Sequence, residues 1–84
     1  MDSNLYKKAY FLSRRGLQEL DNIFIPYVKE RFSFLNKKEK NLFLSLLKND
    51  DVNLLEWLIN ETPPPKELIK IVNKIKEHLK DEKK

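Results

Sequence analysis

Arg15, Glu19 and His78 are the residues from which an acid and base set could be drawn, and nothing in their spacing brings all three together. His78 has no second histidine and no paired carboxylates at ligand spacing, so it is given neither catalysis nor metal and reads as a surface or rim residue. The chain has no cysteine, which removes disulfides, thiolate chemistry and a Cys/His zinc site together. One glycine cannot build a phosphate loop or a dinucleotide fingerprint. No activated nucleophile is visible either. The expected class is therefore a binding protein and not an enzyme, and the polar side chains are candidates for a contact surface.

These candidates concentrate in Ser13-Arg14-Arg15-Gly16-Leu17-Gln18-Glu19-Leu20-Asp21. Helical periodicity runs up to Arg14 or Arg15 and restarts at Leu17, which puts Gly16 at a joint where a left-handed or strained backbone is cheap only for glycine. The arginines then close one helix, where cations suit the negative dipole end. Glu19 falls in the first turn of the next, where an anion suits the positive end. Local helix chemistry accounts for all three residues without any partner.

The elements that position this joint read as five helices, with no alternating strand pattern and no internal repeat. The first covers about Leu5 to Arg14. Its Leu5, Ala9 and Leu12 share a face with Tyr6, which leaves Phe11 out of phase with the core and bracketed by Lys7, Lys8, Arg14 and Arg15. An exposed aromatic ringed by cations suits docking on an acidic protein surface. The second helix, about Leu17 to Phe32, spreads Leu17, Leu20, Ile23, Phe24, Tyr27 and Val28 over a wide arc and should be packed on several sides, bending at Pro26. Asp21 projects into that arc, so it needs a hydrogen-bonding partner, with Arg14 or Arg15 nearest. Glu19 points to the polar side and is free for a partner.

Asn36-Lys37-Lys38-Glu39 announces the third helix with an asparagine capping box, followed by a buried stripe of Leu42, Phe43, Leu46 and Leu47, with Leu44 on a neighbouring helix. Asn49-Asp50-Asp51 stops it and caps the fourth, where Leu54, Leu55, Leu58 and Ile59 face inward and Trp57 lies at the core rim. Thr62-Pro63-Pro64-Pro65 is a stiff connection whose last proline can open the fifth helix, which covers the bundle with Leu68, Ile71, Val72, Ile75 and Leu79. The fold class is thus all-α, a compact bundle of about five short helices. A single domain over residues 1–84 is expected, ordered over about 5–80, with 81–84 a frayed tail.

A formal net charge of +4 over 84 residues invites a nucleic-acid reading. Most of it is lysine, the C-terminal tail is of mixed charge, and no basic recognition helix or aromatic-interleaved patch appears, so nucleic-acid binding is not expected. A small basic regulatory or nucleic-acid-binding protein stands as the alternative class. No apolar run approaches the ~18 residues of a membrane span, and the first residues match neither a signal nor a transit peptide, which makes a cytoplasmic protein the simplest expectation.

Arg15-Gly16-x-x-Glu19, followed by Leu20-Asp21, Pro26, Glu39, Phe43, Leu46-Leu47, Asp51, Leu54 and Trp57-Leu58, resembles the succinate dehydrogenase flavinylation factors of the SdhE/YgfY type and their mitochondrial relatives. The likeness runs from about residue 9 to residue 60 and fades beyond Asn60. It implies an assembly factor that binds the flavoprotein subunit of succinate dehydrogenase, and in some bacteria fumarate reductase, and promotes covalent attachment of FAD to a histidine of that client. FAD is then the client's cofactor and none is held stably by this chain, which is expected to be a monomer without membrane insertion. Carried over by residue, the functional element falls on Arg15, Gly16 and Glu19, flanked by Arg14 and Asp21. Phe11, Lys7 and Lys8 join it from the residue reading.

Overall fold

The computed structural model describes residues 3–82. Five α-helices follow one another: α1 Ser3–Ser13, α2 Gln18–Arg31, α3 Lys37–Leu47, α4 Asp51–Leu58 and α5 Ile69–Glu82. Single 3-10 turns, Phe32–Phe34 and Lys66–Leu68, prolong α2 and precede α5. No strand occurs among the described residues. The radius of gyration is 11.8 Å, the size expected of a chain this short when fully collapsed.

α2 is the structural centre, as its wide apolar arc requires. Leu20, Ile23, Phe24, Tyr27 and Val28 are all buried, and the helix packs against α1, α4 and α5. It passes through Pro26 without interruption. Phe43 of α3 joins the aromatic side chains around it: its ring centroid lies 6.0 Å from Phe24, 5.6 Å from Tyr27 and 5.6 Å from Phe32. Such offset and edge contacts add to the burial of area itself. Lys40 runs along this cluster and places its ammonium 5.7 Å from the Phe32 ring, which lets an almost fully covered lysine keep a favourable environment.

The capping box is present in both directions. Asn36 Oδ1 accepts from the Glu39 amide at 2.8 Å, and Glu39 Oε1 accepts from the Asn36 amide at 3.0 Å. Lys74 of α5 lies 3.4 Å from the other Glu39 oxygen, so the cap also clamps α5 to α3. Leu44 and Trp57 are buried, while α5 contributes Leu68, Ile71, Val72 and Ile75 to the core.

Three local expectations are corrected. Ile59 is 46% exposed and does not face inward, because α4 ends at Leu58 and the chain turns outward there. Pro65 does not open the last helix: it is extended, with ψ 149°, and a 3-10 turn intervenes. Asp50 occupies the N-cap position of α4 with extended backbone but makes no side-chain capping bond, and Asn49 turns back to donate to the Ser45 and Leu46 carbonyls at the end of α3. His78 lies at the rim, one of the two places expected of it. Its imidazole is 9% exposed, stands edge-on to Tyr27 and meets Glu30 at 2.9 Å. α5 continues through Glu82, and residues 83 and 84 of the expected frayed tail lie outside the described residues.

Candidate functional site

Gly16 turns the chain between α1 and α2 with φ +78°, a region that L side chains rarely adopt. A Cβ built on it would meet nothing within 4 Å. The glycine is thus required by its backbone conformation and not by a close approach of the chain's own atoms. The space above it is open.

Arg15 fixes the joint. Its Nε donates to Asp51 Oδ1 at 2.8 Å, its Nη1 to the carbonyls of Leu12 and Leu47 at 3.1 and 2.7 Å, and its Nη2 to the carbonyl of Asn49 at 2.7 Å. Those carbonyls belong to the ends of α1 and α3, where backbone oxygens have no intrahelical partner. One planar guanidinium therefore caps two helix C-termini and pairs with the first turn of α4. The side chain is 16% exposed. The reading of Arg15 as a helix-end cation is right in kind, and the structure extends it to a helix more than thirty positions away.

Asp21 completes the turn from the other side. Its Oδ1 accepts from the backbone amide of Arg15 at 2.8 Å, while the Leu17 carbonyl takes the amides of Leu20 and Asp21. Leu17 is the N-cap of α2 and offers no side-chain cap, so the Asp21 carboxylate ties the first turn of α2 to the joint. It is half-buried, and its partner is a main-chain donor and not an arginine side chain. Beneath the same joint the Ser13 hydroxyl is fully covered and has no hydrogen-bond partner among the described residues.

Over this scaffold lies a shallow depression of about 590 Å³ lined by Phe11, Leu12, Arg14, Arg15, Gly16, Asp21 and Asp51. Phe11 is 75% exposed, an apolar side chain left in water at its edge. Arg14 is exposed and its guanidinium has no partner among the described residues. Five of the eight sequence-chosen residues meet here. Lys7 and Lys8 are exposed on α1 outside the depression.

Glu19 is exposed, without a partner among the described residues, and it opens elsewhere: it lines a larger groove, about 890 Å³, between α2, the end of α4 and α5. The short Arg-Gly-x-x-Glu element therefore serves two adjoining surfaces. Asp51 is the residue that spacing alone misses. It stands in a run of helix-start residues, and nothing local tells that it faces Arg15. No cluster of three metal-ligating side chains forms among the described residues, and none of their helices is long and apolar enough to cross a membrane.

The chain matches the model of a protein family described as the flavinator of succinate dehydrogenase over residues 7–79. Among curated proteins it is 36% identical over 74 residues to the FAD assembly factor SdhE of Acinetobacter baylyi, covering 87% of each chain. The protein of the same name from Wigglesworthia glossinidia brevipalpis is 43% identical over 69 residues, covering 81% of this chain and 82% of its own. That of Pectobacterium atrosepticum is 32% identical over 82 residues, covering 96% and 93%. The match extends past Asn60, where the sequence motifs alone give out.

Proposed function

The chain belongs to the family of succinate dehydrogenase flavinators, and on that premise we propose that it binds the flavoprotein subunit of succinate dehydrogenase and promotes covalent attachment of FAD to it. The observation that carries this reading is the joint itself. Arg15 commits its guanidinium to three chain segments, so the open surface around Gly16 is held in one shape while the side chains of Phe11 and Arg14 project from it exposed.

A rigid, partly apolar and cationic surface can hold a client in one arrangement. Promoting a reaction in this way needs no chemistry from the factor, because positioning the client's own reacting groups lowers the entropic part of the barrier. In this assignment Phe11 and Arg14 are direct contacts, Gly16 lets the client's surface approach the backbone, and Glu19 contacts it from the adjoining groove. Arg15 and Asp21 act through the shape of the joint. Lys7 and Lys8 form a rim that raises association rate by attraction to an acidic surface. The protein acts as a cytoplasmic monomer, takes fumarate reductase as a second client, and holds no cofactor of its own.

The test is co-expression with the flavoprotein subunit, scoring covalent flavin by in-gel fluorescence. Flavinylation should rise with the parent chain and fall to the level without factor when Phe11 and Arg14 are both replaced by alanine. Unchanged flavinylation with and without the parent chain would reject the assignment.

A further inference from the structure

The groove onto which Glu19 opens has a built lip and a composition unlike the rest of this basic surface. Its floor is apolar: Ile23 and Leu58 are buried, Leu79 is half-covered, and Ile59 stands at the edge 46% exposed. Its charged lining is three carboxylates, Glu19, Glu61 and Glu77, against two ammonium groups, Lys76 and Lys80. Lys76 lies 4.0 Å from Glu61, and Glu19 has no partner among the described residues. On a chain of net charge +4 this is a locally acidic site.

The lip is held in place. Glu61 has φ 60°, the one positive φ at a residue other than glycine among those described. An L residue in that region is strained and persists where its surroundings fix it. Here Asn60 Nδ2 and Thr62 Oγ1 both donate to the Glu56 carboxylate, at 2.9 and 2.8 Å, and the Thr62 amide donates to the Glu56 carbonyl at 2.8 Å. Ile59 and Glu61 are thereby presented in a preformed shape. Asn22 of α2 and Asn73 of α5 also line the groove, with amides that can both donate and accept, as the peptide groups of an extended chain require.

We propose that this groove takes a short extended segment of the flavoprotein subunit, seating an apolar side chain over Ile23, Leu58 and Leu79 and a basic side chain toward Glu19. The inference rests on the assignment above and deepens it. Glu19 makes the groove continuous with the surface at the joint, since Asp21 of the same helical turn lines the depression on the other side. The excess of carboxylates favours a basic segment and opposes an anionic dinucleotide.

The chain has no cysteine, so single cysteines report cleanly. Phe11→Cys, Ile59→Cys and Phe34→Cys place one thiol at the depression, one at the groove lip and one on an 82%-exposed residue beyond the far end of α2. Maleimide labelling rates are compared for each variant alone, with purified flavoprotein subunit, and with FAD alone. Labelling at Ile59→Cys and Phe11→Cys should slow at least tenfold in the complex, and Phe34→Cys should not change. Ile59→Asp should weaken binding at least tenfold with the melting temperature unchanged.

Protection of Phe11→Cys with free labelling of Ile59→Cys would overturn the groove inference and leave the assembly role standing. No complex by gel filtration would remove both. Protection of Ile59→Cys by FAD alone would make the groove a flavin site and refute the peptide occupant.

Discussion

Arg15 Nε sits 2.8 Å from Asp51 Oδ1 and so joins the end of α1 to the first turn of α4 across 36 positions of sequence. With carbonyls of Leu12, Leu47 and Asn49 on the other guanidinium nitrogens, four of its five N–H donors are used inside the protein. Arg15→Lys keeps the charge but cannot reach three carbonyls and a carboxylate from one ammonium. It should destabilise the fold by about 2 kcal/mol, and Arg15→Ala by about 3 kcal/mol, as expected when a part-buried charge partner and two helix ends are left unsatisfied. For a chain of this size 2 kcal/mol corresponds to a fall in melting temperature of roughly 10 °C. An Arg15→Lys protein that melts like the parent yet fails to bind the flavoprotein subunit would return Arg15 to the contact surface.

At Gly16, conformation and exposure separate cleanly. Any L side chain meets the positive φ and should cost about 1–2 kcal/mol, but none meets an atom of this chain. Gly16→Ala and Gly16→Arg should therefore melt within a few degrees of each other, both below the parent. They should differ in binding, since the arginine occupies space that a docked client needs. Equal affinities for the flavoprotein subunit would show that the space above Gly16 stays empty in the complex.

How far these features were legible depends on the range of the interaction that makes each one. The helices, the Asn36–Glu39 box, the exposure of Phe11 and the glycine joint follow from periodicity and local backbone chemistry, and the structure has them. Asp21 shows the limit: its position in the apolar arc demands a hydrogen-bond partner, but a pattern on one helix cannot tell a side-chain donor from the Arg15 amide. Arg15 shows it more strongly. A cation at a helix end is a local rule, whereas its grip on Leu47, Asn49 and Asp51 depends on how α1, α3 and α4 converge. Ile59 continues the apolar stripe of α4 on paper. It lies outside the core because the helix stops one residue earlier, at a boundary set by the Glu56 bonds to Asn60 and Thr62.

The capping box gives the fold a pH dependence with a definite sign. The Asn36 amide, and after it Lys74, hold the Glu39 carboxyl below its ordinary value of 4.5 despite partial burial. A carboxylate with a depressed folded-state value contributes stability that is complete above about pH 4.5 and is lost as pH falls through the folded value. Glu56, lowered by its bonds from Thr62 and Asn60, acts in the same direction. Glu39→Gln should lower stability at neutral pH by about 1 kcal/mol, the scale of a lost cap. Its difference from the parent should shrink as the pH is lowered, while Glu56 affects both proteins alike. Urea midpoints from about pH 7 to pH 3 check this, and a difference constant across that range would show that Glu39 acts without its charge.

Glu19 separates function from stability most directly. It stands exposed in the first turn of α2, without a partner among the described residues, so within the fold it contributes a helix-dipole interaction of about 0.3–1 kcal/mol. Glu19→Ala should consequently melt within a few degrees of the parent. If the flavoprotein subunit spans both the depression and the groove, Glu19 stands between them and is covered in the complex. Truncating a charged contact so enclosed costs about 2 kcal/mol or more of affinity, roughly a thirtyfold rise in Kd. Lys7→Ala and Lys8→Ala, on α1 outside the depression, should change mainly the association rate and its salt dependence. The two measurements are thermal melting of Glu19→Ala and its affinity for the flavoprotein subunit, taken on the same preparation. Heavy loss of stability, with the folded fraction still binding and promoting flavinylation normally, would make Glu19 a helix cap and move the contact surface off the groove.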